Sequence, residues 1–380
     1  MTSLSRITSF RYAAPIDVPV VASFARMTER PALLLRVEDE DGAFGWGEVW
    51  CNFPPGGAAH RQLLLDTAIG PWALGRDVAD PIGFLDRAGA AFRIMAIQAG
   101  EPGPIAQVLA GLDCALWDMR ARREGRPLAE LIGDAGARPV PAYASGINPA
   151  GAEETVERAR ATGFASFKLK TGFEGDLARI GRVRAGMRDG ERLMVDYNQA
   201  LTVDAAVAAL PALAGFGLVW IEEPLPADHA AADFARLARL SPAPLAGGEN
   251  VTSLAMFDEL LKAEAFRVIQ PDIGKWGGIS RCREVAQRAL RGGARYCPHW
   301  LGGGIGLLAS AHLLAGLGGD GMLEVDVNPN PLRDVLVPGM TPRADGLVHL
   351  PQGPGLGREP DLEACVGWLA RRSEVTRSAG

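Results

Sequence analysis

The sequence has few cysteines, and their spacing matches no structural pattern. The five residues form neither a CxxC pair nor a Cys/His zinc spacing; they are Cys51, Cys114, Cys282, Cys297 and Cys365. An odd number also argues against the disulfide framework of a secreted protein. We therefore expect a reducing, cytoplasmic environment.

Long apolar runs and dense basic runs are missing too. No run of about eighteen apolar residues occurs, and the N-terminus MTSLSRITSF lacks the apolar region of a signal peptide. The net charge is −6, and lysine and arginine are nowhere dense enough to follow a phosphate backbone. These absences argue against export, a membrane and a nucleic-acid partner.

What the chain does contain is a unit that repeats between Tyr143 and Glu324. A short apolar run ends in a residue able to bind metal, move a proton or hold an anion, and a helical pattern follows. The run-ending residues are Ser145, Lys170, Asp196, Glu222, Glu249, Asp272, His299 and Glu324. Their spacings of 25, 26, 26, 27, 23, 27 and 25 residues equal one strand plus one helix. This pattern predicts parallel strands closed into a barrel, with these residues at the C-terminal rim.

A period near 25 also fits a leucine-rich solenoid, but the sequence argues against it. The LxxLxL signature is absent, and a solenoid core would not tolerate charge at the recurring position. After Glu324, where an eighth helix would be expected, residues 327–333 contain two prolines, so we predict that this helix is missing. The fold class we expect is therefore α/β, a modified (β/α)7β TIM barrel.

The residues on either side of the repeat predict a second domain. Sheet patterns come first, as a strand at 7–12 and a hairpin of 32–37 with 44–49, and helical periodicity follows over 58–125. We predict an α+β capping domain over 1–128, the barrel over 129–335, and a C-terminal segment, 336–380, that returns to the cap. Turn-forming residues make 15–29 and 51–57 irregular segments, suited to act as lids.

Three carboxylates, Asp196, Glu222 and Glu249, end consecutive strands and should lie side by side. Such charges repel strongly unless a cation lies among them, and an all-oxygen site with room for substrate favours Mg²⁺. The alternative is that each acid caps a helix or pairs with a nearby base. Alternation lets only one of Glu222 and Glu223 point inward; we choose Glu222, and a one-residue shift would exchange them.

Two pairs of residues are candidates for proton transfer. Lys168 and Lys170 share one face of a strand, and we expect each ammonium group to depress the pKa of the other, which suits a lysine base. Asp272 and His299 end neighbouring strands, so the carboxylate can orient the imidazole and raise its basicity. The alternatives are structural ion pairs for the lysines and a satisfied core histidine.

Other candidates are weaker. Glu324 faces a site rich in acids, where we expect a raised pKa that lets it donate a proton, unless it is simply a solvated strand-end acid. Asn198 shares a face with Asp196 and is a candidate for substrate binding. The glycine run at 301–306 has no Walker lysine or GxGxxG spacing, so a helix entry or close backbone approach is favoured over a phosphate site.

Together, a divalent ion, a lysine, a His/Asp pair and a donating acid suit removal of a proton α to a carboxylate. The metal and hydrogen-bond donors would stabilise the resulting enolate. A Schiff-base aldolase through Lys170 and a catalytically silent barrel remain as alternatives from other classes.

At this point the chain resembles the enolase superfamily, in particular the mandelate racemase/muconate lactonizing enzyme family and its mandelate racemase subgroup. The motifs are GWGE, ALWD, KLK, VDYNQA, WIEEP, GGEN, QPDIGKWGGI, PHWLGGGIGLLAS and PGLG. The resemblance implies Mg²⁺ on Asp196, Glu222 and Glu249, with Lys170 and the His299/Asp272 dyad as acid/base groups. It further implies Glu324 as electrophilic donor, Lys168 as the residue that orients the substrate carboxylate, specificity-setting cap loops and a homo-oligomer.

The position of Asp272 separates subgroups within this resemblance. Cycloisomerase-like and dipeptide-epimerase relatives carry a lysine at that position, whereas this chain has Asp272 and the nearby lysine is Lys275. A shift of three residues would be needed to match those subgroups, so we disfavour them. The lead hypothesis is a Mg²⁺-dependent dehydratase of a sugar acid or related hydroxy acid, a carbon–oxygen lyase acting on a small carboxylate. The alternative is a racemase or epimerase that uses Lys170 and His299 on opposite faces of one carbon.

Overall fold

The strands of the chain fall into two sheets, one antiparallel and one parallel. This computed structural model describes residues 2–377. In chain order the strands are β1 (Leu4–Val21), β2 (Arg26–Asp39), β3 (Phe44–Val49), β4 (Val140–Ile147), β5 (Ser166–Lys170), β6 (Arg192–Asp196), β7 (Ile221–Glu222), β8 (Leu245–Gly247), β9 (Val268–Ile269), β10 (Arg295–Tyr296), β11 (Leu323–Asp326), β12 (Leu347–Val348) and β13 (Leu369–Thr376).

The helices precede the parallel strands and then alternate with them. They are α1 (Gly57–Leu64), α2 (Gly70–Ala73), α3 (Pro81–Ala99), α4 (Pro102–Arg123), α5 (Leu128–Ile132), α6 (Ala152–Ala161), α7 (Asp176–Ala185), α8 (Val203–Ala209), α9 (Ala231–Leu240), α10 (Leu254–Lys262), α11 (Gly278–Arg291), α12 (Gly304–Leu317) and α13 (Pro331–Asp334). Within residues 2–377, no helix is both long enough and apolar enough to cross a bilayer.

The parallel strands form the predicted barrel. Their hydrogen-bonded order is β10-β9-β8-β7-β6-β5-β4-β11, and β12 adds antiparallel to β4. The two ends of this order meet where the backbone N–H of Met322 donates to Cys297 Sγ at 3.3 Å. The helices α6 to α12 connect successive strands. The predicted (β/α)7β class is confirmed. In place of an eighth barrel helix, the single turn α13 follows β11, because Pro331 and its preceding proline leave few backbone donors.

The barrel interior explains how the strand ends present their side chains. Buried residues on several strands, or directly next to a strand end, pack at the centre, among them Tyr143, Met194, Trp220, Cys297 and Met322. Because side chains alternate along a strand, the residue two positions later points to the same interior, one layer nearer the rim. Each of these apolar residues is therefore followed by a polar one at the barrel mouth.

The antiparallel sheet has the order β13-β1-β2-β3. The predicted hairpin of β2 and β3 is present, but the irregular segment predicted at 15–29 is wrong. Here β1 continues to Val21 and β2 already begins at Arg26, and within this segment the ladder is interrupted between Pro15 and Val20. β-branched valines favour an extended chain there, and the prolines lie where the ladder is broken. Residues 51–57 are irregular up to the start of α1, as expected.

The end of the chain returns to the antiparallel sheet. Strand β13 pairs with β1 from Arg6–Thr376 to Tyr12–Leu369. The predicted boundaries at 128/129 and 335/336 stay predictions, and residues 378–380 of the predicted C-terminal segment lie outside the described residues.

Buried carboxylates attach the antiparallel sheet and its helices to the barrel. At the end of β3, Glu48 accepts hydrogen bonds from the backbone N–H groups of Gly303 and Gly306 at the start of α12. On α4, Asp113 accepts from both the N–H and the hydroxyl of Ser280 on α11. Asp272 and His299 lie between β9 and α11 and between β10 and α12, directly before these helix starts, so the attachments hold the cap over the barrel mouth.

The Glu48 attachment should contribute measurably to stability. In Glu48→Ala, two buried N–H groups lose their acceptor, so we expect the free energy of unfolding to fall by ~2–4 kcal/mol. Glu48→Gln, which keeps one acceptor oxygen, should lose less. Urea unfolding followed by circular dichroism measures this, with exposed Glu363→Ala as the control. An unchanged midpoint in Glu48→Ala would contradict the proposed attachment.

Candidate active site

The residues predicted from the repeat lie at one end of the barrel. Lys170 pairs with Asp196 across β5 and β6, and Asp196 pairs with Glu222 across β6 and β7. Ser145, His299 and Glu324 each follow a barrel-interior residue by two positions, which turns them to the same mouth.

A cavity of about 280 Å³ lies between this mouth and the cap. Its barrel side is lined by Ser145, Gly146, Lys170, Asn198, Gln199, Glu223, Glu249, Asn250, Lys275, His299, Leu301 and Glu324. Its cap side is lined by the turn between β1 and β2 and by the segment after β3. The predicted Lys170, His299, Glu249, Glu324 and Asn198 thus border one space, whereas Lys168, Asp196, Glu222 and Asp272 lie behind them.

The three predicted metal ligands are buried and are engaged by protein cations. Lys170 Nζ lies 2.7 Å from Asp196 Oδ2, and Lys275 Nζ lies 2.6 Å from Glu249 Oε1. The Lys168 ammonium binds Glu222 and lies 3.7 Å from Asp196 Oδ2. As placed, no three His, Cys, Asp or Glu side chains among residues 2–377 are grouped to hold a metal ion. The ligand roles of the three acids stay predictions.

The structure shows which way each of the adjacent acids Glu222 and Glu223 points. Glu222 points into the barrel, where Trp220 Nε1 and Gln270 Nε2 donate to its Oε2 at 2.9 and 2.7 Å. Glu223 adopts a left-handed backbone conformation, with φ of 37°, and lines the cavity beside Asn250. The left-handed residue breaks the strand alternation, so both carboxylates serve the same mouth.

The chemistry of these donors nevertheless fits a divalent cation. Burial, with the neighbouring acids, outweighs the lowering effect of Lys168 and raises the pKa of Glu222 to about 7. Burial and Glu249 likewise outweigh Lys275 and raise the pKa of Glu223. The buried acids at the mouth are Asp196, Glu222, Glu223, Glu249, Asp272 and Glu324, against the cationic groups of Lys168, Lys170, Lys275 and His299. Counted as fully ionised, these acids exceed the cations by two even when His299 is charged, and the raised pKa values of Glu222 and Glu223 mean that part of this excess is relieved by bound protons. One Mg²⁺ on the all-oxygen set of Asp196, Glu222 and Glu249 would balance that excess.

The expected pKa depression between the lysines is wrong in this structure. Burial lowers the pKa of Lys170, and Lys168 also lowers it, but Asp196 and Glu249 outweigh both and raise it. Burial likewise lowers the pKa of Lys168, whereas Glu222, Glu324 and Asp196 raise it well above its usual value. The carboxylates around the pair outnumber the two ammonium groups, so attraction exceeds mutual repulsion.

His299 and Asp272 form a close pair. His299 Nδ1 lies 2.6 Å from Asp272 Oδ2, which turns Nε2 toward Glu249 Oε2 at 3.0 Å. Asp272 is itself held by the backbone N–H groups of Gly274 and Lys275. Burial would lower the pKa of His299, but Glu249, Glu324 and Asp272 together raise it to about 10. The imidazole is therefore protonated near neutral pH in this arrangement.

Glu324 behaves differently from the sequence-based expectation of a raised pKa. Burial raises the pKa, yet Lys168, His299 and the hydroxyl of Ser145 lower it to about 2. Lys168 Nζ lies 2.8 Å from Glu324 Oε1. The expectation is wrong because it counted the neighbouring acids and not the lysine that lies between them. The donor role that the resemblance implies stays a prediction.

The side chain of Asn198 is positioned to accept a hydrogen bond from a ligand. Its N–H and its Nδ2 both donate to Asp196, at 2.8 and 3.1 Å, which orients the amide. Its Oδ1 is buried and has no hydrogen-bond partner, and the residue lines the cavity. A buried acceptor without a partner is costly, and a substrate hydroxyl would satisfy it.

Lys275, Glu223 and Asn250 border the cavity but were not assigned roles from the sequence. Lys275 Nζ binds Glu249 and lies 3.0 Å from Asn250 Oδ1. The repeat pointed only to one run-ending residue per strand, whereas these residues follow the run-ending Glu222, Glu249 and Asp272 by one to three positions. The sequence did contain an indication that two of them belong to the site, because Glu223 and Asn250 each directly follow a predicted metal ligand.

Comparison with known proteins gives matches over nearly the whole chain. Residues 6–133 match the N-terminal domain of mandelate racemase/muconate lactonizing enzymes, and residues 151–364 match the enolase C-terminal domain-like family. The chain is 31% identical over 367 residues to D-galactarolactone cycloisomerase of Agrobacterium fabrum, covering 92% of this chain and 94% of that protein. It is 30% identical to L-talarate/galactarate dehydratase of Salmonella typhimurium, covering 72% and 69%.

Solved structures agree with these sequence matches. A mandelate racemase/muconate lactonizing enzyme from Bordetella bronchiseptica superposes with a TM-score of 0.90 at 44% identity, covering 96% of this chain and 99% of that one. A racemase from Streptomyces coelicolor, solved with bound magnesium, has a TM-score of 0.84 at 27% identity, covering 97% and 100%.

The raised pKa of His299 predicts a pH dependence of stability. The pKa rises from 6.5 to about 10 on folding, so the stabilisation is complete below 6.5 and is lost as pH rises toward 10. In chelator-treated protein, the free energy of unfolding should fall more steeply over this range than in His299→Asn. Urea unfolding at about pH 6, 8 and 10 measures it. Parallel pH profiles for the two proteins would contradict the ion-pair assignment.

Proposed function

The chain belongs to the mandelate racemase/muconate lactonizing enzyme family of the enolase superfamily, and on that premise we propose that it is a Mg²⁺-dependent dehydratase of a sugar acid or related hydroxy acid. Its relatives include enzymes named as sugar-acid dehydratases and cycloisomerases. The proposed reaction removes the proton α to the carboxylate and expels the β-hydroxyl as water.

One observation carries the proposal: two proton carriers border the same cavity from different sides. Lys170 ends β5 and His299 follows β10, which lie three strands apart in one direction around the barrel and five in the other. A substrate between them has one proton-transfer group near each face. Abstraction on one side and proton delivery on the other suit elimination.

The charges support a division of roles. His299 is held as an imidazolium by Glu249, Glu324 and Asp272, with a pKa raised to about 10. We therefore assign it the general-acid step, in which Nε2–H protonates the departing hydroxyl. Lys170, on the other side of the cavity, is assigned removal of the α-proton. Asp196 and Glu249 raise its pKa in this structure, and Mg²⁺ held by those acids would offset their attraction, so that burial and the nearby Lys168 would favour the neutral amine that this step requires.

The remaining residues bind and orient. Asp196, Glu222 and Glu249 would hold Mg²⁺, which when bound supplies the positive charge that stabilises the anion formed at the substrate carboxylate. Lys168 orients that carboxylate from behind the rim. Asn198 Oδ1 accepts from a hydroxyl near the reacting carbons, where it has no protein partner. Asp272 keeps the imidazole of His299 turned toward the cavity.

A second candidate reaction differs only in the leaving group. If the β-oxygen belongs to a ring, the same abstraction and protonation open the ring and release no water. The similarity to D-galactarolactone cycloisomerase favours testing cyclic substrates as well. Racemisation is the third outcome, in which His299 returns a proton to the α-carbon.

Metal removal should abolish the reaction reversibly. With a library of mono- and diacid sugars and their lactones, we expect keto acid release with Mg²⁺, none after treatment with chelator, and recovery on adding Mg²⁺ back. Nuclear magnetic resonance in deuterium oxide identifies the product. Turnover that persists in chelator would overturn the metal role, and α-deuteration of intact substrate with altered configuration would show a racemase instead.

Substitutions of Lys170 and of His299 should affect α-hydrogen exchange and keto acid release differently. Lys170→Met should reduce both α-hydrogen exchange and keto acid release by about a hundredfold to ten-thousandfold. His299→Asn should lose keto acid release while retaining α-hydrogen exchange, because abstraction still occurs. Exposed Lys262→Met and half-exposed His229→Asn are matched controls. Full dehydration activity in His299→Asn would show that the assigned role is wrong.

A further inference from the structure

The cap side of the active-site cavity is entirely apolar in its side chains apart from one indole N–H. The turn between β1 and β2 contributes aliphatic and aromatic residues, and the segment after β3 adds two aromatic rings. Together these are Val20, Val21, Ala22, Phe24, Ala25, Met27, Trp50 and Phe53. Among the lining residues, all of which lie within 2–377, the cap supplies no charged, amide or hydroxyl side chain.

Apart from the indole Nε1 of Trp50, which is buried without a hydrogen-bond partner, several polar groups of the cap near this apolar wall are already hydrogen-bonded to the barrel. The backbone N–H of Val21 donates to Asn148 Oδ1 at 3.2 Å, and Ser23 Oγ donates to the carbonyl of Asn198 at 2.8 Å. The amide of Asn52 donates to the carbonyl of Leu301. These contacts fasten the cap to the barrel and leave few hydrogen bonds for a ligand.

The barrel side of the cavity has the opposite character. Lys170, Asn198, Lys275, His299 and other polar side chains gather there, and Asn198 Oδ1 still lacks a partner. The cavity therefore has one polar half and one apolar half. A ligand that matches it must itself be divided in the same way.

Resting on the function proposed above, we infer that the substrate is a hydroxy acid whose end remote from the carboxylate carries neither hydroxyl nor charge. The carboxylate and the hydroxyls of the reacting carbons face the barrel. A deoxy, alkyl or aryl terminus packs against Phe24, Met27 and Phe53. Fully hydroxylated sugar acids and diacids fit this wall poorly.

The physical reason is the loss of hydrogen bonds on the cap side. A terminal hydroxyl placed against Phe24, Met27 and Phe53 loses its hydrogen bonds to water and finds no partner on these side chains, which disfavours binding. A second carboxylate fares worse, because the mouth already holds more acids than cations and the wall offers no counter-charge. A methyl or aryl group gains by leaving water at the same place.

A matched substrate series tests the inference. Hexonates of one configuration that end in CH₃, CH₂OH or COO⁻ differ only at the remote carbon. With Mg²⁺, we expect kcat/KM for keto acid release to favour CH₃ over CH₂OH by about tenfold to a hundredfold, as hydrophobic pockets discriminate hydroxyl analogues. The COO⁻ member should be poorer still. A reversed order among members that turn over would overturn the inference and leave the proposed function intact.

A variant in the turn and one in the adjoining part of β1 provide the matched pair. Phe24 and Val18 are 63% and 54% exposed, so neither substitution threatens the core, but only Phe24 lines the cavity. Phe24→Ser should reduce the preference for the CH₃ terminus several-fold, roughly as loss of apolar contact predicts, whereas Val18→Ser should leave it unchanged. An equal effect of both variants would contradict the assigned wall.

Binding calorimetry separates failure of this inference from failure of the proposed function. If no member releases keto acid or exchanges its α-hydrogen, the proposed function is wrong. Titration of the Mg²⁺-loaded protein with the same series still tests the wall. Tighter binding and a more negative heat-capacity change for the CH₃ member than for the CH₂OH member support it, and equal or weaker binding overturns it.

Discussion

The concentration of buried negative charge at the barrel mouth is the constraint on which this structure depends. Parallel strands in register bring Asp196, Glu222 and their neighbours into a space from which water is largely excluded. Uncompensated charges there are costly, so the surrounding ammonium and imidazolium groups are as much structural as chemical. The remaining excess of acids supports the proposed Mg²⁺ site, and the same attraction keeps His299 protonated.

The cap completes the site by closing it and by giving it a second surface. Glu48 and Asp113 attach the cap to the first turns of α12 and α11, directly after the strands that position His299 and Asp272. A movement of the cap would therefore displace His299 and Asp272. The turn between β1 and β2 lines the cavity with apolar side chains, whereas the barrel lines it with charged and polar ones. The barrel would therefore recognise the reacting end of the substrate, and the cap its remote end.

Several residues show how far sequence reasoning reached and where it stopped. Spacing placed Lys170, Asp196 and His299 at one mouth, because the strand repeat and the alternation of side chains are local properties. The same reasoning misjudged Glu324, whose pKa is lowered by a lysine contributed by another strand. It also expected a loop where β1 and β2 extend, because prolines were taken as breaks in a strand that in fact continues past them.

The sequence by itself determined the fold class, the family and the set of chemical groups at the barrel mouth, since these follow from periodicity, turn residues and motifs. Only the tertiary structure decided which groups pair, how each pKa shifts and which surface faces the remote end of a substrate. Glu223 reaches the cavity through a left-handed backbone that no spacing rule contains. Electrostatic interactions and burial depend on distances between residues far apart in the chain, and those distances exist only after folding.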